Sequence, residues 1–449
     1  MKTPIDDFVS RYADGDTVRL HMPGHKGKIF TGAERFDITE ICGADELYEA
    51  DGIIAESERN ASLLFSSGKT LYSTEGSSQC IRAMVYLATL EKRSSDRPYI
   101  LAGRNAHRTF LHALALCDAD VRWLMPEKTT SLCHCDITSR DVRNALETAD
   151  RLPSAVYVTS PDYLGNMLDI RSIADVCHLF DIPLIVDNAH GAYLKFLPKS
   201  LHPLECGADM CCDSAHKTFP VLTGGAYLHI SRDAPQFFEN AKNAMALFGS
   251  TSPSYLILRS LDLCNAFLAD IYPEKLEKTV RSLDAIKNKL MRNGWRISGD
   301  EPMKLTVMSP DDKDGMQLAG MLRDNGIECE YADGECVVLM PSSETSEAEL
   351  ERVVAAFGTN TTPYTRFNTF EYDCPPSGMT VREAVFSPCE TICADEAVGR
   401  ICASPVVSCP PAIPVVVSGE IITKQAVNVF RHYGITHISV VNLLQYNRK

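Results

Sequence analysis

Between about residues 50 and 240, short apolar runs alternate with stretches of helical spacing. The runs are Tyr99–Ala102, Val121–Leu124, Ala155–Thr159 and Leu184–Val186. Between them, helical spacing covers Thr109–Cys117, Ser139–Thr148 and Ile173–Phe180. Upstream, Asp51–Phe65 carries Ile53, Ile54, Ala61, Leu64 and Phe65, and a second helix runs through Ile81, Met84, Val85, Leu87 and Ala88. Short apolar strands separated by helices signal an α/β protein with a parallel sheet covered on both faces.

The rest of the chain is organised differently. The first ~45 residues lack a clear period and carry His21-Met22-Pro23-Gly24-His25-Lys26-Gly27, which reads as an arm with a basic, glycine-broken loop. One long helical pattern covers about residues 254 to 293. Residues 303–358 read β-α-β-α, as Lys304–Met308, Met316–Asn325, Glu335–Met340 and Ser346–Phe357. Gly358–Gly378 looks like a linker. A last unit holds a helix Ala394–Cys402, a turn at Pro410-Pro411-Ala412-Ile413-Pro414, and a helix–strand pair ending near Val441.

Composition narrows the function classes. The 449 residues predict two to four domains at roughly 100–200 residues each. An apolar share of 45% supports a sizeable core and excludes disorder as the main state. A net charge of −15 repels phosphate backbones, so nucleic acid is not the expected partner. It suits a cationic small substrate weakly. The 17 cysteines are odd in number and scattered, and several lie in apolar runs, as Cys211 and Cys212 do. They read as reduced, buried thiols of a cytoplasmic protein. Met1-Lys2-Thr3-Pro4-Ile5-Asp6-Asp7 lacks the apolar region of a signal peptide, and no run approaches about 18 apolar residues, so neither export nor a membrane span is expected.

The chemistry concentrates in residues 184–230. Leu184-Ile185-Val186-Asp187-Asn188-Ala189-His190-Gly191 places a carboxylate at the carboxyl end of a strand, where such sheets bind ligands. Ser214-Ala215-His216-Lys217 follows another apolar run and precedes Thr223-Gly224-Gly225. A lysine there can form a Schiff base, because burial makes a neutral amine available. Alone, Lys217 is better read as a solvated loop residue, and the pairing with Asp187 reverses that. Pyridoxal 5'-phosphate (PLP) needs a carboxylate on its pyridinium nitrogen and a lysine on its aldehyde. Gly76-Ser77-Ser78 opens a helix and could converge N–H groups and hydroxyls on a phosphate, although a plain N-cap has the same pattern. His107 follows the Tyr99–Ala102 strand and could reach the sheet edge, or simply cap a helix. Cys133-His134-Cys135 lacks a second ligand pair, so no metal site is expected.

In order along the chain, these segments resemble the Orn/Lys/Arg decarboxylase family of fold-type-I PLP enzymes. The likeness includes the His21–Gly27 loop, Asp37-Ile38-Thr39-Glu40, Gly43-Ala44-Asp45-Glu46-Leu47 and Asp51-Gly52-Ile53-Ile54. It continues through Arg104-Asn105-Ala106-His107, Ser160-Pro161-Asp162-Tyr163-Leu164-Gly165, Asp187–Gly191, Ser214–Lys217 and Ser250-Thr251-Ser252-Pro253-Ser254-Tyr255. Ala397-Val398-Gly399-Arg400-Ile401 and Pro410–Pro414 through Gly419-Glu420 resemble its C-terminal domain. The likeness is to the short members, without an N-terminal wing domain.

The resemblance implies an aspartate aminotransferase-like large domain with a mainly parallel sheet, a small α/β domain and an α+β C-terminal domain. The boundaries expected are 1–45 for the arm, 46–255 for the PLP domain, 256–360 for the small domain and 361–449 for the C-terminal domain. It also implies roles. Lys217 would hold PLP, Asp187 would pair with its ring nitrogen, His107 would stack on the ring and His190 would sit beside it. Ser78, Ser214 and His216 would surround the phosphate, with Ser77 and Gln79 nearby. Thr251 and Ser252 would reach the neighbouring subunit's phosphate in a homodimer or higher oligomer.

The implied reaction decarboxylates arginine, lysine or ornithine to agmatine, cadaverine or putrescine, the polyamine precursors. Glu396, Asp45 and Glu46 are candidates for the substrate's distal cation. An aminotransferase is the nearest alternative, but residues 303–358 offer only Arg323 and Arg352 for an α-carboxylate. A catalytically idle binding homologue is the alternative of another class. Some positions depart from the family pattern: Glu75 near a phosphate site, Phe65-Ser66-Ser67, Cys409 and Ala412.

Overall fold

The structure, a computed structural model, describes residues 1–449 except 91–96, 127–130, 366–373, 405, 408–412 and 447–449. Part of the linker expected over Gly358–Gly378, most of the proline turn, Cys409 and Ala412 therefore lie outside the described residues. The chain forms two compact units. One joins Met1–Ala88 to Pro183–Lys278, and the other joins Thr89–Ile182 to Thr279–Lys449. The strands of the main α/β region are β1 (Lys69–Ser73), β2 (Tyr99–Gly103), β3 (Asp120–Leu124), β4 (Ala155–Thr159), β5 (Leu184–Asp187), β6 (Met210–Asp213) and β7 (Ala226–Ile230).

In the first unit the strands lie in the order β1-β7-β6-β5. β5 and β6 are parallel, with Ile185 opposite Met210 and Asp187 opposite Cys212. β7 runs antiparallel to both neighbours, which fits the mainly parallel sheet expected. Every residue of β5, β6 and β7 is buried, which explains why these runs show no polar alternation. The helix Ile53–Phe65 buries Ile54, Ala61 and Phe65 and ends at Ser66 in the left-handed conformation.

The arm contains more structure than its sequence suggests. Pro4–Asp14 is a helix, with Pro4 in its first turn, Asp6 and Asp7 at its positive end, and Ile5 and Val9 buried. Asp262 Oδ2 accepts the backbone N–H of Ile5 at 2.8 Å and of Asp6 at 3.0 Å. A helix with two fully buried apolar positions gives too weak a stripe to read. The long pattern at 254–293 divides at Ile271 into helices Tyr255–Asp270 and Tyr272–Arg292.

In the second unit, β4-β2-β3 are parallel and alternate with helices Arg108–Cys117, Ser139–Glu147 and Ile170–Leu179. The β-α-β-α stretch appears as expected. Its strands Leu305–Met308 and Cys336–Leu339 pair antiparallel, and helices Gly315–Asp324 and Glu347–Phe357 both start at capping boxes. Near the C-terminus, Cys389–Cys393 pairs with His437–Val441, and helix Lys424–His432 packs its Val427 and Phe430 into a core with Val415 and Val440. The helix expected over Ala394–Cys402 does not form. Only Ala394–Glu396 makes a 3₁₀ turn, Gly399 adopts φ +84, and Ile401 and Cys402 enter β-bridges with Ile421 and Val440.

Candidate active site

The site of the first unit is assembled at one edge of β5 and β6. Because these strands are parallel and in register, their last residues point the following turns the same way. β5 ends in Asp187, which is 3% exposed. Its Oδ1 accepts from Ala189 N at 3.2 Å and from the Cys212 thiol at 3.6 Å. The turn after Asp187 carries His190, also buried. β6 is followed by the short helix Ala215–Thr218, which carries Lys217. Lys217 Nζ lies 3.0 Å from His190 Nε2. Residues 27 apart in sequence, an amine and an imidazole, thus meet beside a buried carboxylate's turn.

A second cluster is built where β1 turns into the helix Ser77–Leu90. Gly76 sits at φ +72, its N–H donates to Gly224 O at 2.7 Å, and Ser73 Oγ donates to its carbonyl at 2.9 Å. Ser214 Oγ donates to Ser77 Oγ at 2.9 Å, joining this turn to the end of β6. A Cβ on Gly76 would meet no nearer atom than Ser78 N at 4.0 Å, so the space over the turn is open. Hydroxyls of Ser77, Ser78 and Ser214, together with the N-terminus of a helix of 14 residues, form a donor set suited to a phosphate. Asp187 offers an acceptor for a ring N–H, and Lys217 offers the amine. The residues fit PLP.

His216 Nδ1 lies 3.0 Å from Gly225 O, and burial lowers its pKa. With that N–H donated to a carbonyl, His216 can donate to an anion from Nε2 only when protonated. Gln79 is fully buried and engaged on all sides: it accepts from Ser73 Oγ at 2.6 Å and donates to Tyr48 Oη at 2.9 Å and Met245 O at 2.8 Å. Its side chain braces the turn at Gly76. Glu75 accepts from Ser250 N, so its carboxylate serves the 250 loop. Thr251 and Ser252 are exposed on that loop.

Asp45 accepts from the N–H groups of Glu46, Asp51, Gly52, Ile54 and Ala55. Burial raises its pKa, but these bonds outweigh it and the net shift is downward. Asp45 is thus a capping residue of the 52–55 turn. Glu46 is exposed in the same loop, and Glu396 is exposed in the 3₁₀ turn of the second unit.

His107 also belongs to the second unit. It caps helix Arg108–Cys117, with Nδ1 accepting from Thr109 N at 3.2 Å. Cys133, His134 and Cys135 do not converge on one point: His134 Nδ1 lies 2.8 Å from Asp162 Oδ2, Cys133 belongs to the C-terminal core, and the Cys135 thiol donates to Leu124 O at 3.7 Å.

Sequence reasoning missed Cys212 as a neighbour of Asp187, and the bond between Asn188 and Asp213 behind it. The signal available was the strand register, which sets residue 212 beside residue 187 once β5 and β6 are paired.

A family model described as Orn/Lys/Arg decarboxylase, major domain, matches residues 3–343, and one described as Orn/Lys/Arg decarboxylase, C-terminal domain, matches residues 366–437. An arginine decarboxylase of Bacillus anthracis is 28% identical over 465 residues, covering 96% of this chain and 92% of its own length. An arginine decarboxylase of Bacillus subtilis (strain 168) is 28% identical over 462 residues, covering 95% and 92%. The crystal structure of the lysine decarboxylase LdcF of Francisella novicida shares the fold, with TM-score 0.80 at 16% identity over 98% of this chain and 81% of that one.

Proposed function

The chain belongs to the Orn/Lys/Arg decarboxylase family, and from that premise we propose that Lys217 and Asp187 hold PLP for the decarboxylation of a basic amino acid. The observation that carries the site is the meeting of Lys217 Nζ and His190 Nε2 at 3.0 Å beside the Asp187 turn. When bound, PLP supplies the electron sink for the pair released as the Cα–carboxylate bond breaks.

The chain's own residues supply the rest. Lys217 is the amine that carries the cofactor. Asp187, whose Oδ1 accepts from Ala189 N and the Cys212 thiol, would accept a hydrogen bond from the ring N–H and so keep that nitrogen protonated. Ser77, Ser78 and Ser214 bind the phosphate with the helix N-terminus. His190 and Lys217 form a proton pair at bonding distance, suited to returning a proton to Cα after carbon dioxide leaves. By the family resemblance, His107 would stack on the ring. Thr251 and Ser252 serve a second subunit of a homodimer. With Asp45 engaged as a cap, Glu46 and Glu396 are the better candidates for the substrate's distal cation.

The proposed setting is the cytoplasm and polyamine formation. Arginine is the first substrate to test, because the two relatives named above are arginine decarboxylases. The test is to incubate the PLP-loaded protein separately with arginine, lysine and ornithine and identify the amine by mass. Agmatine, cadaverine or putrescine supports the reading. A product set containing none of them defeats it.

A further inference from the structure

Behind the candidate site, the first unit buries a polar cluster to which the proposed function gives no part. Asp213, the last residue of β6, is fully buried, and so are His202 and His229. Asp213 Oδ2 accepts from Nε2 of His202 at 3.1 Å and from Nε2 of His229 at 3.2 Å. Its Oδ1 accepts from Asn188 Nδ2 at 2.6 Å. His229 is fixed at its other end, where Nδ1 lies 2.8 Å from Thr70 Oγ1.

This carboxylate touches both halves of the site through single residues. Asn188 directly follows Asp187, its N–H donates to Cys212 O at 3.0 Å, and its carbonyl accepts from Gly191 N at 2.8 Å. That closed turn carries His190. In the other direction, Asp213 directly precedes Ser214, which bonds Ser77 at the phosphate turn.

A buried carboxylate is costly unless its charge is met. Burial pushes the Asp213 pKa up, but the His202 and His229 imidazoles pull harder and leave it well below the ordinary range. The group therefore stays ionised and keeps its three donors.

Cys211 Sγ lies 4.0 Å from His202 Nε2, so His202, Cys211 and Asp213 are close enough to be considered as metal ligands. Two observations favour hydrogen bonds instead. Both imidazoles meet Asp213 at hydrogen-bond length, and among the described residues His202 Nδ1 lacks the outer partner that orients a ligating imidazole.

We propose that Asp213, clamped between His202 and His229, is a positioning residue that sets the Asp187–His190 turn against Ser214. Its role is to hold the ring-binding and phosphate-binding groups at one spacing. The proposal rests on the reading of Lys217 and Asp187 as cofactor residues.

The test titrates apoprotein with PLP by absorbance and follows the pH midpoint of the bound cofactor's visible band. Wild type is compared with Asp213→Asn, His202→Gln, His229→Gln and Asp262→Asn. Asp262 is a buried carboxylate of the same unit that holds the N-terminal helix, so it controls for general loss of stability. An asparagine offers one acceptor oxygen to three donors, so Asp213→Asn should weaken PLP binding about 10-fold and move the midpoint. The histidine variants should do so to a lesser degree, and Asp262→Asn should do neither. Wild-type affinity and midpoint in Asp213→Asn would overturn the inference. If that variant fails to fold, the same result in both histidine variants overturns it. A wild-type protein that shows no visible band with PLP overturns the Lys217 reading and this inference together.

Discussion

On the proposed reading, two neighbours give His190 its chemistry. Lys217 Nζ lies 3.0 Å from it, and the turn after Asp187 holds it buried. A positioned acid–base group contributes about 10²–10⁴-fold to rate. His190→Gln should therefore lower kcat by about that factor while PLP still binds, as steady-state kinetics and an absorbance titration would show. The placement of Asp187 at the end of one strand and Lys217 just after another was legible in the sequence, because each follows an apolar run. Their support was not. Cys212 reads only as a buried thiol, and its bond to Asp187 exists because parallel pairing sets residues 25 apart side by side. Asp45 shows the opposite difficulty: an acidic loop residue suggests a substrate cation, yet five backbone N–H groups engage it.

At the scale of elements, turns decide the site more than strands do. Gly76 holds φ +72 with open space where a side chain would go. Gly76→Ala should cost about 1–2 kcal/mol of stability through backbone strain, read from denaturant midpoints. On the proposed reading it should also weaken PLP binding, because the new methyl would enter the space assigned to the phosphate. The main strands were legible almost to the residue: Leu184–Val186 was expected and Leu184–Asp187 is found. Fully buried short strands announce themselves as apolar runs. The helix Pro4–Asp14 was not legible, since only Ile5 and Val9 join Pro4 in its buried set. The expected helix over Ala394–Cys402 failed because Gly399 turns left-handed and the chain after it pairs with strands distant in sequence.

At the scale of the molecule, each unit has its own buried charges. In the second unit, Arg104 Nη2 donates to Glu420 Oε2 at 3.1 Å and to Val415 O at 3.0 Å, joining the residue after β2 to the C-terminal region. Both side chains are 6% exposed. Arg104→Met would leave the buried Glu420 without the guanidinium that offsets its charge, and should cost roughly 3–5 kcal/mol by chemical denaturation.

In the first unit, burial pushes Asp262 up to about 6. A carboxyl raised above its unfolded value of about 3.9 stabilises the fold below that pH, and this contribution is lost as pH rises through about 6. The stability of wild type relative to Asp262→Asn should therefore fall by up to roughly 3 kcal/mol between about pH 4 and pH 7. A flat difference would show that Asp262 titrates normally. The family resemblance was legible along nearly the whole chain. The grouping of distant stretches into two units was not, because it depends on which strands pair.

Lys217 can be tested most directly by reductive trapping. The PLP-loaded protein is treated with borohydride, digested, and the modified peptide is located by mass spectrometry. The label is predicted on Lys217, and Lys217→Ala should carry none. A label on another lysine, or no label in a folded wild-type protein, would contradict the assignment of this residue and of the site built around it.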